Sequence, residues 1–358
     1  MNGVESSVSH RVVAPVVPAG FLGPRRVWRR GPLSIAYRPM DQVYVFANPI
    51  AGQGRGKKVA GALARRLEKA GFAVKVCLEH CDAAPAPPPG ARVRAAVAIG
   101  GDGTLRDVAR WSLRQAGIEH LLASAPPVHP VANSEAPPEP IPLLVVPMGT
   151  ANLMGLHLGV PWSQSGSEAQ IVAAIRDPRL VQLDAARAND QLLLLVAGVG
   201  IDGLIVHELD RIRRGPINKL SYLVPAVRAL ATWRFPAIRV SVDGKPVFGD
   251  RPGLAFVGNI REYGTGFPIL PDALPDDGLL DVCVLPCATH AEMLDLVLHA
   301  ANGDHMKMDG AVYVKGRRIH VAANEPIAVQ VDGDSAGFTP LDIELLPVRL
   351  PFIAPPLR

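Results

Sequence analysis

Gly100-Gly101-Asp102-Gly103-Thr104 is the segment whose residue types speak most directly of chemistry. It follows the apolar run Ala95-Ala96-Val97-Ala98-Ile99, which reads as a buried strand, and precedes a helical pattern beginning at Leu105. Glycines at a strand C-terminus let the backbone approach a ligand where a Cβ would clash. Their N–H groups, with the start of the following helix, suit an anion such as a nucleotide phosphate. Asp102 adds a carboxylate, which phosphates would repel unless a metal ion or a proton intervenes, and this suggests Mg²⁺. A glycine-rich strand-to-helix turn is also a purely structural device, so its neighbours decide.

Two more glycine loops occupy the same structural point. Asn48-Pro49-Ile50-Ala51-Gly52-Gln53-Gly54-Arg55-Gly56 follows a short strand, Val43 to Phe46, and leads into a helix from Lys57 to about Gly71. Pro147-Met148-Gly149-Thr150-Ala151-Asn152 follows the strand Leu143 to Val146. In open α/β sheets ligands bind outside the carboxyl ends of the strands. No Gly-x-x-x-x-Gly-Lys-Ser/Thr run is present, so this is not a P-loop. Charge compensation falls on Mg²⁺ and on Arg55 or Lys57, which also read as a plain solvated helix face.

In order, Asn-Pro-x-x-Gly-x-Gly, Gly-Gly-Asp-Gly-Thr and Pro-x-Gly-Thr-x-Asn resemble the diacylglycerol kinase catalytic family of bacterial lipid kinases, related to sphingosine and ceramide kinases. The likeness continues through Gly258-Asn259, Tyr263-Gly264, Pro271-Asp272-Ala273, Asp276-Asp277-Gly278-Leu279-Leu280-Asp281 and Val331-Asp332-Gly333-Asp334. The resemblance implies ATP as phosphoryl donor, Mg²⁺ and a lipid hydroxyl as acceptor. It implies a phosphate cradle from the backbone of Gly100, Gly101, Gly103 and Thr104, completed by Asn48, Pro49, Gly52 and Gly54. Thr150 and Asn152 would reach the nucleotide, although both residue types also serve as helix caps. Asp102 and Asp332 are the catalytic candidates. Asp332 would take the acceptor's proton as general base, while Asp-Gly is equally a favoured hairpin turn. Asp334 stands where the family more often has Glu, and is a further candidate metal ligand. Asp277, with backbone oxygens of Leu274 and Leu279, would hold a structural Mg²⁺; an unliganded turn is the other reading. Leu153 stands where some bacterial members carry Asp.

These groups need scaffolds. From 41 to 165 strands and helices alternate, which predicts a parallel sheet with helices on both faces, the ATP-binding domain. The resemblance makes that domain Rossmann-like and three-layered. It is interrupted by Pro/Ala-rich stretches at 83–90 and 124–142, the second read as a mobile surface loop. After a linker at 163–169, residues 166–337 read as a lipid-substrate domain. It is antiparallel, β-sandwich-like and carries helices over 203–213 and 219–233. Its strands are expected at 180–188, 192–197, 237–242, 254–257, 279–285 and 319–321. The alternating segment 341–346, within C-terminal strands at about 338–358, is expected to return to the first domain.

The net charge of +4 is uneven. Residues 1–40 hold six Arg and one Glu, net +5, leaving −1 for the remainder. The basic excess belongs to a tail and argues against nucleic-acid binding by the core. That tail, with Pro15, Pro18, Pro24, Pro32 and the cluster Arg25-Arg26-Val27-Trp28-Arg29-Arg30, reads as a disordered leader, an anionic-membrane contact or a transit peptide. No run of eighteen apolar residues occurs, so no transmembrane helix is expected. Cys77, Cys81, Cys283 and Cys287 lack zinc-site spacing and read as idle thiols. Apolar surface at 204–209, 220–227 and 267–270 could line an acyl pocket or be ordinary core. The basic group Arg211, Arg213, Arg214 and Lys219 could meet an anionic bilayer or be a solvated helix end.

The sequence therefore predicts an ATP-dependent, Mg²⁺-assisted lipid kinase, cytoplasmic and peripheral at the membrane, with its oligomeric state open. Two rivals stand beside it: an enzyme like NAD kinase, phosphorylating a soluble acceptor, and a catalytically silent nucleotide-binding or membrane-sensing protein.

Overall fold

The computed structural model describes residues 41–49, 51–123, 139–162, 166–212, 223–264 and 266–356. The basic leader, residues 124–138 of the proline-rich insertion, residues 163–165 of the expected linker, and Arg213, Arg214 and Lys219 lie outside the described residues.

In chain order, the first part contains β1 (Gln42–Ala47), α1 (Ala51–Gly54), α2 (Gly56–Lys69), β2 (Ala73–Cys77), β3 (Val93–Gly100), α3 (Asp102–Gln115), β4 (Leu143–Pro147), α4 (Leu153–His157), α5 (Glu168–Arg176) and β5 (Arg179–Leu183). The second part contains β6 (Ala186–Ala188), β7 (Gln191–Leu193), β8 (Val196–Val199), α6 (Ile201–Ile212), α7 (Leu223–Thr232), β9 (Ala237–Val242), β10 (Lys245–Gly258), β11 (Leu280–Pro286) and α8 (His290–Asn302). It continues with β12 (Val312–Gly316), β13 (Arg318–Ala323), β14 (Ala328–Val331), β15 (Asp334–Phe338) and β16 (Leu341–Leu345) and ends in β17 (Leu350–Ala354).

The first sheet has strand order β2-β1-β3-β4-β17-β5, parallel except for the last pair. Its inner strands are apolar on both faces because helices cover both, as parallel sheets require. On β1, Val43, Val45 and Ala47 face the cluster built by Ala60, Leu63 and Leu67 of α2 and Ile171 and Ile175 of α5. Tyr44 and Phe46 point the other way, onto Trp111 of α3, with ring centroids 4.8 and 4.9 Å apart. Trp111 is fully enclosed there. Helix α2 buries Ala60, Leu63, Ala64 and Leu67, the i, i+3, i+4, i+7 stripe of an amphipathic helix.

The second sheet is antiparallel. Its path runs β15-β14-β8-β10-β9-β13-β16-β6-β7, with β11 and β12 beyond β10. Strand β10 joins its two halves. Lys245 to Pro252 pairs with β9, whereas Gly253 to Gly258 pairs with β11 and Ala255 to Gly258 also pairs with β8.

Several expectations change. Helix α3 begins at Asp102, so the glycine-rich segment runs into the helix and ends as its first turn. The expected strand 180–188 is two strands in different sheets: β5 stays with the first, so the junction falls after Leu183 and not at 165. Segment 341–346 does not return to the first sheet, because Ile343 and Leu345 pair with Ala188 and Ala186 of β6; only β17 returns, between β4 and β5. Helices α5 and α8 are additional. For α8 a local signal existed in Thr289-x-x-Glu292: Thr289 Oγ1 accepts the Glu292 N–H (3.2 Å) and Glu292 Oε2 accepts the Ala288 N–H (2.7 Å).

Candidate active site

The three glycine loops meet at the C-terminal ends of β1, β3 and β4. The Asn48 N–H bonds the Ile99 carbonyl (3.2 Å), Met148 N–H the Gly100 carbonyl (2.7 Å), and Gly52 N–H the Met148 carbonyl (3.0 Å). Gly52 and Gly54 both sit at positive φ, which their lack of a Cβ permits. Thr150 lies half-buried in the third loop. Gly101 and Gly149 pack backbone to backbone. A Cβ on Gly149 would stand 2.5 Å from the Gly101 Cα, and one on Gly101 3.2 Å from the Gly149 Cα. The requirement for glycine at these positions thus arises from contact between two loops of the chain itself. The amides of the first turn of α3 have no i→i−4 acceptor within the helix, and donors of this kind suit an anion.

Asp102 does not face open space. Its Oδ2 accepts the Leu153 N–H (3.0 Å) and its Oδ1 the Met154 N–H (3.2 Å), so it caps α4 from another segment. Burial pushes its carboxyl above the ordinary range while these bonds pull it down. Asn152, at the N-cap position of α4 with φ 53°, makes no cap bond. Its side chain instead accepts the Gly149 N–H (2.7 Å) and donates to the Gly149 carbonyl (2.8 Å), closing the third loop. Asp102 and Asn152 thereby hold two glycine loops in one arrangement.

Across the seam between the sheets, the Asp332-Gly333-Asp334 turn sits over the first turn of α3. Arg106 of α3 makes the connection: Nη1 donates to the Val331 carbonyl (2.7 Å) and Nη2 to Asp334 Oδ2 (2.6 Å). A Cβ on Gly103 would lie 3.1 Å from that same Asp334 oxygen. Asp332, at φ 52°, is almost fully buried. Its Oδ2 accepts the Leu194 N–H (2.9 Å), and its Oδ1 the N–H groups of Leu195 (2.8 Å) and Val196 (3.2 Å). A carboxylate offers about four lone-pair sites, so three amides leave one, on Oδ2. Burial lifts the Asp332 carboxyl to about 6, against the opposing pull of Arg106 and the amide bonds.

Sequence reasoning missed Arg106, whose place is set only when the second sheet folds over α3. It also missed Asp202 of α6. This wholly buried carboxylate, lifted to about 6 by desolvation, takes the Tyr263 hydroxyl (3.2 Å) and Gln330 Nε2 (3.4 Å). Gln330 in turn accepts the Gly333 N–H (2.9 Å), which ties Asp202 to the Asp332 turn.

Asp277 is not brought to this site. Its Oδ2 lies 3.0 Å from Lys315 Nζ, and its Oδ1 accepts the Leu279 N–H (3.0 Å). Leu279 meets Asp277 through its N–H, a separate group from the carbonyl oxygen expected as a ligand. The cysteines are free thiols; Cys81, Cys283 and Cys287 are buried, and desolvation raises Cys81 and Cys283 to about 12.

The matches to known proteins follow the same division of the chain. Residues 42–188 match the diacylglycerol kinase catalytic domain, and residues 195–354 the YegS C-terminal NAD kinase beta sandwich-like domain. The chain belongs to the diacylglycerol kinase catalytic-domain family. Among its relatives are the diacylglycerol kinase of Mycobacterium tuberculosis (strain CDC 1551 / Oshkosh), 28% identical over 88% of this chain and 96% of that one. The diacylglycerol kinase of Bacillus subtilis (strain 168) is 24% identical over 84% of this chain and 92% of its own. A crystal structure of a diacylglycerol kinase from Bacillus anthracis str. Sterne has the same fold, with a TM-score of 0.59 at 22% identity, covering 88% of this chain and 97% of that chain.

Proposed function

We propose that the protein is an ATP-dependent lipid kinase that transfers the γ-phosphate of Mg·ATP to a lipid hydroxyl, on a diacylglycerol-like or sphingoid acceptor. The observation that carries this reading is the seating of Asp332 over the glycine-rich first turn of α3, with Arg106 binding the two together. Phosphoryl transfer is chiefly positioning plus charge stabilisation, and this seam supplies both. The first-turn amides of α3, the glycine loops and Thr150 hold the phosphates and nucleotide. Mg²⁺ bound with the nucleotide would supply the charge that neutralises its phosphates. The acceptor hydroxyl gives its proton to Asp332 Oδ2 as its oxygen bonds to the γ-phosphorus and the bridging oxygen departs with ADP. Asp102 acts as a positioning residue, because the amides of Leu153 and Met154, joined by those of Asn152 and of Asp102 itself, fill its lone-pair sites. Asp334 is committed to Arg106, and with that partner it orients the turn.

The lipid half of the proposal is supported by the names of the relatives and by apolar surface. Val224, Val227 and Leu230 on α7 and Leu294, Val297 and Leu298 on α8 are 41–64% exposed. His290 at the start of α8 bonds the Leu230 carbonyl at the end of α7 (2.9 Å), so the two faces adjoin. Such a patch fits peripheral contact with the cytoplasmic face of a bilayer. Among the described residues no helix is long and apolar enough to cross a membrane.

The test is transfer from γ-labelled ATP with Mg²⁺ to dispersed diacylglycerol, monoacylglycerol, sphingoid base and ceramide, with NAD in a parallel tube. Label entering the organic phase is the expected result. Label on NAD would favour the soluble-acceptor reading that the second domain's family name brings to mind, and no transfer to any acceptor would remove the kinase proposal.

A further inference from the structure

The resemblance that pointed to a divalent ion at Asp277 meets a different occupant. Lys315 extends from β12 into the loop 271–279. Its Nζ lies 3.0 Å from Asp277 Oδ2, 2.9 Å from the Asp272 carbonyl oxygen and 3.2 Å from Asp281 Oδ2. An ammonium carries three donors; this one hydrogen-bonds Asp277 and the Asp272 carbonyl and stands as an ion-pair partner to Asp281 Oδ2, which accepts no hydrogen bond. The position is fixed by the sheet and not by a flexible arm, because Asp281 and Lys315 are paired residues in the β11–β12 register. Asp281 is fully buried, and its other oxygen accepts the Tyr313 hydroxyl (2.7 Å). Tyr313 lies two residues before Lys315 on the same face of β12, and its hydroxyl also accepts the Asp272 N–H (3.2 Å).

The rest of the loop is braced by the chain as well. Buried Asp184, just after β5, accepts the Gly278 N–H (2.6 Å) and the Arg349 Nε–H (2.7 Å), and its own N–H bonds the Pro275 carbonyl (2.6 Å). Arg349, just before β17, donates to the Asp276 carbonyl (2.8 Å). These residues do not fit a divalent ion. Both Asp277 oxygens are already engaged, Oδ2 by the Lys315 ammonium and Oδ1 by the Leu279 N–H. A metal there would have to displace Lys315 from a partly buried carboxylate pair that needs the lysine's charge.

We propose that Lys315 is the built-in cation of this loop, taking the place of a structural metal, so that the junction between the two sheets keeps its form without a divalent ion. The proposal concerns stability and is independent of which acceptor is phosphorylated. The test uses nucleotide-free, full-length protein, thermal melts in EDTA or millimolar Mg²⁺, and Mn²⁺ titration followed by electron paramagnetic resonance. The wild-type Tm should differ by less than about 1 °C between EDTA and Mg²⁺, and no Mn²⁺ site should vanish in Asp277→Asn. Lys315→Met should melt about 2–5 °C lower in EDTA, recover with Mg²⁺ or Mn²⁺, and gain a Mn²⁺ site that a second change, Asp277→Asn, removes. Lys315→Arg should behave as wild type toward metal. A wild-type Mn²⁺ site lost in Asp277→Asn would overturn the proposal, and this comparison stands even if Lys315→Met fails to fold. A folded Lys315→Met that gains no site would overturn it too, since the oxygens would then not be a cation set.

Discussion

Two acidic turns, Asp332-Gly333-Asp334 and Asp276-Asp277-Gly278, look alike in sequence and are treated oppositely by the fold. The second is neutralised by cationic side chains: Lys315 on Asp277 and Asp281, and Arg349 on Asp184 and the Asp276 carbonyl. In the first, only Asp334 receives a guanidinium. Asp332 is buried among backbone amides and lifted to about 6. A carboxylate matched by a neighbouring cation holds structure. Asp332, desolvated and left with one open lone-pair site after its three amides, is poised to exchange a proton near neutral pH.

The largest effect expected to sharpen this contrast comes from parallel amide substitutions. Asp332→Asn should lower kcat by about 10²–10⁴-fold, the usual share of a general base, with nucleotide Kd within about threefold of wild type. Asp277→Asn should change kcat by less than about threefold and register instead as a fall in Tm of about 2–5 °C. Equal kinetic losses in steady-state assays of the two variants would break the comparison.

Next in size is the packing of the loops that face Asp332. Gly149→Val would drive a branched side chain into the Gly101 backbone. Nucleotide affinity, read by fluorescence titration, should fall by at least about tenfold, with a stability loss of about 1–3 kcal/mol in denaturant unfolding. Normal affinity would mean that the two loops separate without consequence for phosphate binding.

Arg106→Met should cut kcat about 10–100-fold while leaving Asp277 and its loop untouched, because it frees the Val331 carbonyl and Asp334 from α3. Unchanged turnover would show that the turn holds its place through the Asp332 amide bonds alone.

The smallest effect is a pair of opposed pH slopes. Folding raises Asp332 and Asp202 from 3.8 to about 6. Between about pH 4 and 6 the folded state therefore binds more protons than the unfolded one, and these two groups make stability fall as pH rises through that window. Turnover needs ionised Asp332, so kcat should rise across the same window. Asp332→Asn should remove that group's share of the stability slope in denaturant titrations at several pH values; an unaltered slope would place the shift elsewhere.

The three glycine loops, the strands before them and their place at the carboxyl ends of a parallel sheet were legible in the residues, because local backbone chemistry dictates them. So was the late Asp-Gly-Asp turn. Apolar periodicity located α2, although α3 starts earlier than its pattern implied: Asp102, Gly103 and Thr104 are polar or small and reveal themselves as helical only by their bonds. The assignment of β5 and β16 to sheets was not legible, since both are short alternating segments and pairing partners lie far away in sequence.

What the sequence determined by itself, then, is the set of groups that could bind phosphate and exchange a proton, because residue type and turn geometry act over a few neighbours. What only the tertiary structure decided is their fate. Asp102 caps α4, Asp332 is desolvated at the seam, Arg106 crosses that seam, and Lys315 meets Asp277 through a strand register. Each outcome depends on charges and amides brought together from residues tens to hundreds of positions apart, and burial then sets how strongly they act on one another.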